Sequence, residues 1–390
     1  MRLVSISITA LLLATGARGE ARDRLVVVQR DAGALKLVDP SAGEVDATIR
    51  VGVSPEYIAL SPDGRTAIVS DQGAGRGSAK LLVVDLIQLR LLRSIRPEYE
   101  HPFNGQGRQL FGLMGEVCFP RDSRYALVTC AIESSLLVVD VEDGRVVDVV
   151  KVDGDGPDEL VPSPDGQRVY LSNTSSGTAE VLDARSRHTL GSVSTGSGAR
   201  GIGLRPGTSE LWVANSGSNS ISLVDVESYR EIAEVPAGAS PARIAFSPDG
   251  RRAYCSNEDG GSVSVYDTTT RRVLHEVELT PPRSSAPRPP DDERSGRSLR
   301  RRPRPGCGPV QLVFSPEGDR LFVSCTRSEY LAEIDPVRGA VLDRALDTPA
   351  QERGHAVGRG RHRGRRGGHV GAAASASLDR RRRLSRGLLR

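Results

Sequence analysis

Charged and polar side chains recur at one fixed place in this chain, directly ahead of apolar segments that repeat along the sequence. The early examples are mostly acidic, and basic ones follow toward the middle of the chain. Such a set could bind a small polar or zwitterionic ligand, or a charged segment of a partner protein. Acids close to arginine could also perform acid–base chemistry. The candidate residues are Glu56, Tyr57, Glu116, Asp158, Glu159, Arg200, Arg243 and Gln311.

Other kinds of site find little support in the sequence. The chain has no Cys-x-x-Cys-His for attached haem, no Gly-x-Ser-x-Gly elbow, no P-loop and no His-Glu-x-x-His. Of the six histidines only His101 falls in a segment that could join the candidate residues, and one histidine does not make a metal cluster. We therefore predict no catalytic residue, no metal and no cofactor. A pocket that combines Glu116, Glu159, Arg243 and His101 keeps an enzyme as the alternative.

The elements that position these residues are β-hairpins of an internal repeat. Residues 58–71 and 244–257 each contain an apolar run, a Ser-Pro-Asp-Gly turn and a second apolar run, and weaker copies start at Val117, Leu160, Ile202 and Leu312. Proline presets φ at the first turn corner, and Asp-Gly tolerates the remaining turn geometry. The base period is about 42 residues, which is typical of a four-stranded propeller blade.

The repeat count predicts seven blades, one of them incomplete. A marker of the third strand, Val, Ile, Leu or Tyr followed by Asp, occurs once in each of seven repeats, against six hairpins. Residues 24–53 supply a marker and flanking strands but no innermost strand. A closed propeller would take that strand from the C-terminus, and no matching hairpin follows Pro349. We therefore expect an all-β, seven-bladed propeller of four-stranded antiparallel blades in which the blade of residues 25–53 lacks a normal innermost strand.

The ends of the second strands carry a family resemblance. Residues 169–173 (Val-Tyr-Leu-Ser-Asn), 211–215 (Leu-Trp-Val-Ala-Asn) and 254–257 (Tyr-Cys-Ser-Asn) resemble the Tyr-Val-Thr-Asn motif of the YVTN-repeat β-propellers, of the exported bacterial type, over roughly residues 24–348. The resemblance implies a WD40-like repeat fold. The resemblance does not predict a particular function, because the superfamily includes binding proteins, surface-layer proteins, lactonases and haem-containing nitrite reductase domains.

The two ends of the chain differ from the repeat. Arg2, an apolar stretch over residues 3–14 and Ala17-Arg18-Gly19 are typical of a secretory signal over residues 1–19, and the apolar stretch is too short to predict a membrane span. The Arg- and Gly-rich residues 349–390 have no strand period, and we expect them to be disordered. The net charge of +4 depends on this tail. We interpret its arginines as coding bias or a frameshift, with binding of polyanions as the alternative, and predict no specific nucleic-acid partner.

Two insertions interrupt the repeat, at residues 97–114 and 281–308. Both precede innermost strands, so we expect both to decorate the face of the propeller at which the channel opens.

The count of five cysteines is odd. Register places Cys307 and Cys325 at the same rim of one blade, and export would permit a disulfide bond between them. Two free thiols are the alternative.

These observations together favour an exported, non-enzymatic and monomeric scaffold in the periplasm or outside the cell. It would bind a protein, a glycan or a small polar ligand at its decorated channel face. The alternative is a propeller enzyme or redox accessory protein, either lactonase-like or dehydrogenase-associated.

Overall fold

Each repeat unit folds as a four-stranded antiparallel meander, because its apolar runs alternate with turn-forming residues at short range. The computed structural model describes residues 6–15, 21–75, 77–100, 108–280, 307–328 and 330–342. Seven four-stranded sheets and one two-stranded sheet occur in these ranges, and the same ranges contain no helix. The predicted all-β, seven-bladed propeller is therefore confirmed.

The first four blades follow one another along the chain. Blade 1 consists of β1 (Ile6–Thr15), β2 (Ala21–Gln29), β3 (Ala34–Asp39) and β4 (Glu44–Arg50). Blade 2 consists of β5 (Pro55–Leu60), β6 (Thr66–Asp71), β7 (Lys80–Asp85) and β8 (Arg90–Ile95). A hairpin of β9 (Glu98–Glu100) and β10 (Arg108–Leu110) comes next. Blade 3 consists of β11 (Met114–Cys118), β12 (Tyr125–Cys130), β13 (Ser135–Asp140) and β14 (Arg145–Lys151). Blade 4 consists of β15 (Pro157–Pro162), β16 (Arg168–Asn173), β17 (Thr178–Asp183) and β18 (Thr189–Ser194).

The remaining three blades have the same order. Blade 5 consists of β19 (Ala199–Leu204), β20 (Glu210–Asn215), β21 (Ser220–Asp225) and β22 (Arg230–Pro236). Blade 6 consists of β23 (Pro241–Phe246), β24 (Arg252–Asn257), β25 (Ser262–Asp267) and β26 (Arg272–Glu278). Blade 7 consists of β27 (Pro309–Phe314), β28 (Leu321–Cys325), β29 (Tyr330–Asp335) and β30 (Ala340–Leu342).

The expectation of an incomplete blade is wrong. Blade 1 has an innermost strand, and the N-terminal segment supplies it: β1 pairs antiparallel with β2, from Ile6 opposite Gln29 to Thr15 opposite Ala21. β1 lies between β27 and β5, so the innermost strands of all seven blades form a closed ring. This strand was not predicted, because residues 3–14 have the apolar pattern of an export signal and a closing strand was expected only at the C-terminal end.

The core consists of apolar clusters between neighbouring blades. Seven such clusters are present in the described part of the chain, one at each blade–blade contact. The cluster between blades 7 and 1 includes Phe322 and Leu331 on one side and Leu25, Val27 and Val38 on the other. Each blade therefore buries both of its faces against its neighbours, which explains why the strands are apolar on both sides.

The hairpin turns have the geometry that their sequence predicts. Ser61 Oγ donates to Asp63 Oδ1 at 2.6 Å, and the backbone amide of Arg65 donates to the same oxygen at 3.1 Å. Gly64 has a φ of 68°, in the left-handed region that glycine adopts without strain. These turns lie at the face opposite the candidate residues, because each connects the far ends of an innermost strand and its neighbour.

The chain divides into two units, Met1–Thr348 and Pro349–Arg390. The predicted tail of residues 349–390 lies outside the described residues, as do residues 1–5 and 16–19 of the predicted export signal and residues 281–306 of the second insertion. Within the described ranges, no helix has the length and apolar character needed to span a membrane.

Candidate functional site

The candidate residues lie within the innermost strands, at a β-bulge that each of these strands carries. The sequence analysis placed them just ahead of the strands. In β11, Met114 pairs with Cys130 and Val117 with Val128, so Glu116 falls in the irregular step between them. The same shift occurs in β5, β15, β19, β23 and β27. A bulge re-aims the side chains beside it. The repeated bulge therefore brings polar side chains of six blades to one end of the central channel.

Arg243 lies at the centre of this group and crosses the channel. Its Nη2 is 3.0 Å from Glu116 Oε1 and 3.6 Å from Asp158 Oδ1, and its Nε is 3.5 Å from Glu159 Oε1. Its side chain is only 3% exposed. One guanidinium group of blade 6 thus joins carboxyl groups of blades 3 and 4, which lie on the opposite side of the ring.

Further hydrogen bonds fix the same carboxyl groups. Gln311 Nε2 donates to Glu116 Oε1 at 3.0 Å, and the backbone amide of Ile202 donates to Glu159 Oε2 at 2.7 Å. Arg200 Nη1 donates to Glu258 Oε2 at 2.6 Å, while its Nε is 3.7 Å from Asp158 Oδ2. The eight residues singled out in the sequence therefore come together at one end of the channel, in contact with one another or, in the case of Tyr57 and Glu56, in the wall of the adjacent cavity described below.

Burial shifts the acid–base equilibria of this group. It raises the pKa of Glu159 from its ordinary value of 4.5 to about 8, against the opposing effect of Arg243. Burial also raises the pKa of Glu116, again opposed by Arg243. Desolvation acts to lower the pKa of Arg243, but Glu159, Asp158 and Glu116 raise it well above its usual value. Arg243 therefore stays charged, and Glu159, with its pKa of about 8, retains its proton near neutral pH.

Tyr57 also lies among these charges. Burial raises the pKa of its phenol, and Asp158 and Glu56 raise it further. The hydroxyl therefore remains protonated and can donate a hydrogen bond at any physiological pH.

A cavity of about 310 Å³ opens beside this cluster. Its wall combines four guanidinium groups, two carboxylates, and neutral side chains that can donate or accept hydrogen bonds. Glu116, Asp158 and Glu159 contact Arg243 and are not part of this wall. The lining residues are Arg30, Glu56, Tyr57, Arg200, Arg243, Glu258, Val310, Gln311, Thr326 and Arg327.

Four polar residues of this lining were not among the sequence candidates: Arg30, Glu258, Thr326 and Arg327. Arg30, Glu258 and Thr326 directly follow the last residue of a second strand, and Arg327 comes one position later. The signal was present, because Glu258 comes straight after Asn257 of the repeat motif. The motif marks the end of the strand, and the residue that follows it turns toward the channel.

The described part of the first insertion does not lie at the channel mouth. The hairpin β9–β10 packs against β14, the outermost strand of blade 3, and Tyr99 joins the core between blades 2 and 3. Phe111 is fully buried in that core, and its amide donates to the carbonyl of Pro97 at 2.8 Å. The expectation that this insertion decorates the channel face is therefore wrong for its described residues. The apolar side chains Tyr99 and Phe111 draw it onto the flank of the ring. His101 lies outside the described residues.

The structure places Cys307 and Cys325 in a disulfide bond, with their Cα atoms 4.8 Å apart. Cys325 pairs with Pro309 across blade 7, so the bond ties the start of β27 to the end of β28 beside the cavity. Cys118, Cys130 and Cys255 are free and buried. In the described ranges, no group of three or more His, Cys, Asp and Glu side chains is arranged to hold a metal ion.

Comparison with known proteins supports the fold and goes no further. No family model matches the chain, and no curated protein matches it either. Hydrazine synthase from Kuenenia stuttgartiensis is similar in structure, with a TM-score of 0.63 at 16% identity over 83% of this chain and 94% of that one. A functionally unknown protein from Desulfotomaculum acetoxidans DSM 771 has a TM-score of 0.60 at 15% identity, over 83% of this chain and 95% of that one.

The dihydro-heme d1 dehydrogenase NirN, solved in complex with DHE, is also similar. Its TM-score is 0.58 at 20% identity, over 86% of this chain and 66% of NirN. At these identities the likeness shows a shared propeller fold, and fold does not fix function. Membership of the YVTN-repeat family stays a prediction.

Proposed function

We propose that this protein is a non-enzymatic propeller that binds a small polar ligand in the cavity at its channel mouth. The main observation in support of this proposal is the cavity. Its volume of about 310 Å³ lies at the lower end of the range of small-molecule sites. Its wall comes from blades 1, 2, 5, 6 and 7, so the closed ring preforms it.

The ion pairs of the wall support binding by a prearranged site. Arg30 is held by Ser54 Oγ at 2.9 Å and Glu56 Oε1 at 3.4 Å. Arg200 and Arg327 both approach Glu258, at 2.6 and 3.8 Å. Side chains already fixed in this way lose little conformational freedom when a ligand arrives, which favours affinity.

The placement of the shifted acids supports a role without catalysis. Glu116 and Glu159 are the carboxyl groups whose pKa is raised, and neither lines the cavity. A general acid or base must come within hydrogen-bond reach of the substrate. In this arrangement Glu116 and Glu159 hold Arg243 and do not reach the ligand.

Two observations favour the enzyme alternative. Glu159, with a pKa of about 8, is a neutral acid near physiological pH and could donate a proton if a ligand displaced Arg243. Two of the structurally similar proteins are named for enzymatic activities, hydrazine synthase and a dehydrogenase. Chemical conversion of the molecule bound in the cavity, lost in the Glu159→Gln variant, would favour this alternative.

Native mass spectrometry of the protein purified from its own host tests the proposed function. We expect a stoichiometric small molecule that unfolding releases. A protein that is empty under these conditions, and that binds nothing in the clarified extract of its host, would contradict the proposal.

We also propose that the protein is an exported monomer, located in the periplasm or outside the cell. The N-terminal pattern of residues 1–19 supports export, and the pairing of Cys307 with Cys325 suits an oxidising compartment. Cell fractionation and light scattering of the purified protein test location and oligomeric state. A cytosolic location would contradict the proposed export, and a stable dimer would contradict the proposed monomeric state.

A further inference from the structure

The wall of the cavity carries more positive than negative charge. Guanidinium groups of four consecutive blades line it: Arg200 of blade 5, Arg243 of blade 6, Arg327 of blade 7 and Arg30 of blade 1. The carboxylates in the lining are Glu56 and Glu258. Four cations therefore face two anions, an excess of about two positive charges at the wall.

Carboxyl groups behind the wall offset the charge of these arginines, but they do not line the cavity. Glu116, Asp158 and Glu159 surround Arg243 on the side away from the lining. Asp158 also lies 3.7 Å from Arg200, and Asp259 accepts a hydrogen bond from Arg327. Burial raises the pKa of Glu159 to about 8, so this carboxyl is largely neutral near neutrality, and Tyr57 remains neutral. A ligand in the cavity therefore meets four guanidinium groups and two carboxylates directly.

Hydrogen-bond donors outnumber acceptors in the same wall. Arg30 uses Nε and Nη1 for Ser54 and Glu56, which leaves the two N–H groups of Nη2. Arg200 uses Nη1 for Glu258, and Arg327 uses Nη2 for Asp259. The planar guanidinium fork matches the oxygens of carboxylate and phosphate groups, and side chains of this type bind both.

Given the proposed function, we infer that the ligand is a small organic molecule with two oxyanion groups, carboxylate or phosphate, one for each pair of wall arginines. The cavity lies within the range of volumes that suits a molecule of this size. One oxyanion would face the arginines of blades 5 and 6, and the other those of blades 7 and 1. Arg30, Arg200 and Arg327 would then bind the ligand directly.

The Arg30–Glu56 ion pair permits a matched test. Arg30→Gln removes a cation from the wall, and Glu56→Gln removes an anion, but both break the same 3.4 Å contact. If only the ion pair mattered, the two variants would change binding in the same direction. Both side chains are partly exposed, at 34% and 24%, so neither change should unfold the protein. Arg251→Gln, at an 84% exposed side chain on the opposite face, serves as control.

Isothermal titration calorimetry at low salt would use succinate, inorganic phosphate and the dication putrescine as probes. We expect one-to-one binding of succinate or phosphate, about tenfold weaker in Arg30→Gln, tighter in Glu56→Gln and unchanged in Arg251→Gln. Binding of succinate alone identifies a dicarboxylate, and binding of phosphate alone identifies a phosphate ester.

Binding of putrescine in place of the anions, or the reverse order of the two variants, would overturn the inference. Failure of every probe would overturn it too. In each of these cases native mass spectrometry of the host protein still judges the proposed function separately. A bound neutral or cationic molecule would contradict the oxyanion inference and leave the proposed binding function intact. An empty cavity would contradict both.

Discussion

At the scale of single residues, the network around Arg243 joins blades that are far apart in sequence. Its side chain and that of Glu116 lie 127 positions apart along the chain and 3.0 Å apart in space. Such buried pairs do not by themselves add much stability, but removal of one partner leaves unpaired buried charges. The network therefore acts as a constraint on the ring, because all of its members must be present together.

Replacement of Arg243 by alanine should destabilise the protein strongly. Glu116, Asp158 and Glu159 would face one another without a cation, and we expect a loss of about 3–5 kcal/mol in the free energy of unfolding at pH 8. The loss should be smaller at pH 5, where Glu159, with its pKa of about 8, is protonated. Denaturant unfolding at both pH values measures this, with the exposed Arg251→Ala as control. A loss below about 1 kcal/mol at pH 8 would show that Arg243 is not the centre of the network.

The raised pKa of Glu159 leads to a separate prediction about how the free energy of unfolding depends on pH. In the unfolded chain this carboxyl titrates near 4.5, and in the fold near 8. Between these values the folded state binds more protons than the unfolded state, so stability is fully present below about pH 4.5 and is lost as pH rises through about 8. The slope from this group approaches about 1.4 kcal/mol per pH unit within that window.

Glu159→Gln, which imitates the protonated carboxyl, should reduce that slope and raise stability at pH 8. Denaturant unfolding between pH 5 and 8.5 checks this, with Glu142→Gln as control, because Glu142 is 76% exposed. A slope identical to that of the unchanged protein would mean that Glu159 is ionised in the fold.

At the scale of elements, the positions of the candidate residues along their hairpins could be predicted from the sequence, and their pairing across the ring could not. The repeat register placed Glu56, Glu116 and Arg243 at equivalent points of their hairpins, and the structure brings them to one end of the channel. Which carboxylate contacts which guanidinium depends on distances across the ring, and no repeat pattern encodes those. The repeated β-bulge was missed for a similar reason, since one extra residue in a strand leaves no signature in the alternation of apolar residues.

The two insertions show the same limit. Their place in the chain was clear from the broken period, yet the hairpin β9–β10 lies on the flank of blade 3 instead of at the channel mouth. Phe111 and Tyr99 could have indicated this, because exposed aromatic side chains in a loop often need an apolar surface. The register argument for Cys307 and Cys325, by contrast, needed only one blade, and local geometry of this kind can be predicted from the sequence.

The bond between Cys307 and Cys325 should stabilise blade 7. The two residues are separated by 18 positions, and closure of a loop of this size is expected to contribute about 3 kcal/mol. Reduction should therefore lower the thermal midpoint of the unchanged protein and leave Cys307→Ser without further effect. Non-reducing peptide mapping provides the direct measurement. Complete alkylation of both thiols without reductant would show that the bond does not form.

At the scale of the whole molecule, closure of the ring depends on ten N-terminal residues. β1 pairs with β2 on one side and lies beside β5 and β27 in the ring of innermost strands. The same residues lie within the segment that the sequence predicts to be an export signal. The two roles exclude one another in a mature chain, because cleavage after Gly19 would remove β1 and leave the hydrogen-bonding edge of β2 open.

Deletion of residues 1–19 should therefore lower the thermal midpoint and cause self-association, because an unpaired strand edge recruits other chains. Thermal unfolding and light scattering measure the two effects, and deletion of residues 349–390, which form a separate unit, is the control.

Hydrogen exchange on the full chain gives a second measurement, which remains possible if the truncated chain fails to fold. The amides of β2 that face β1 should exchange as slowly as those between β2 and β3. Fast exchange confined to the β1 side, or a truncated chain as stable and monomeric as the full one, would show that β1 does not close the ring. Amino-terminal sequencing of the exported protein then decides between the two roles: a chain that begins at Glu20 has lost β1 and must close its first blade in another way.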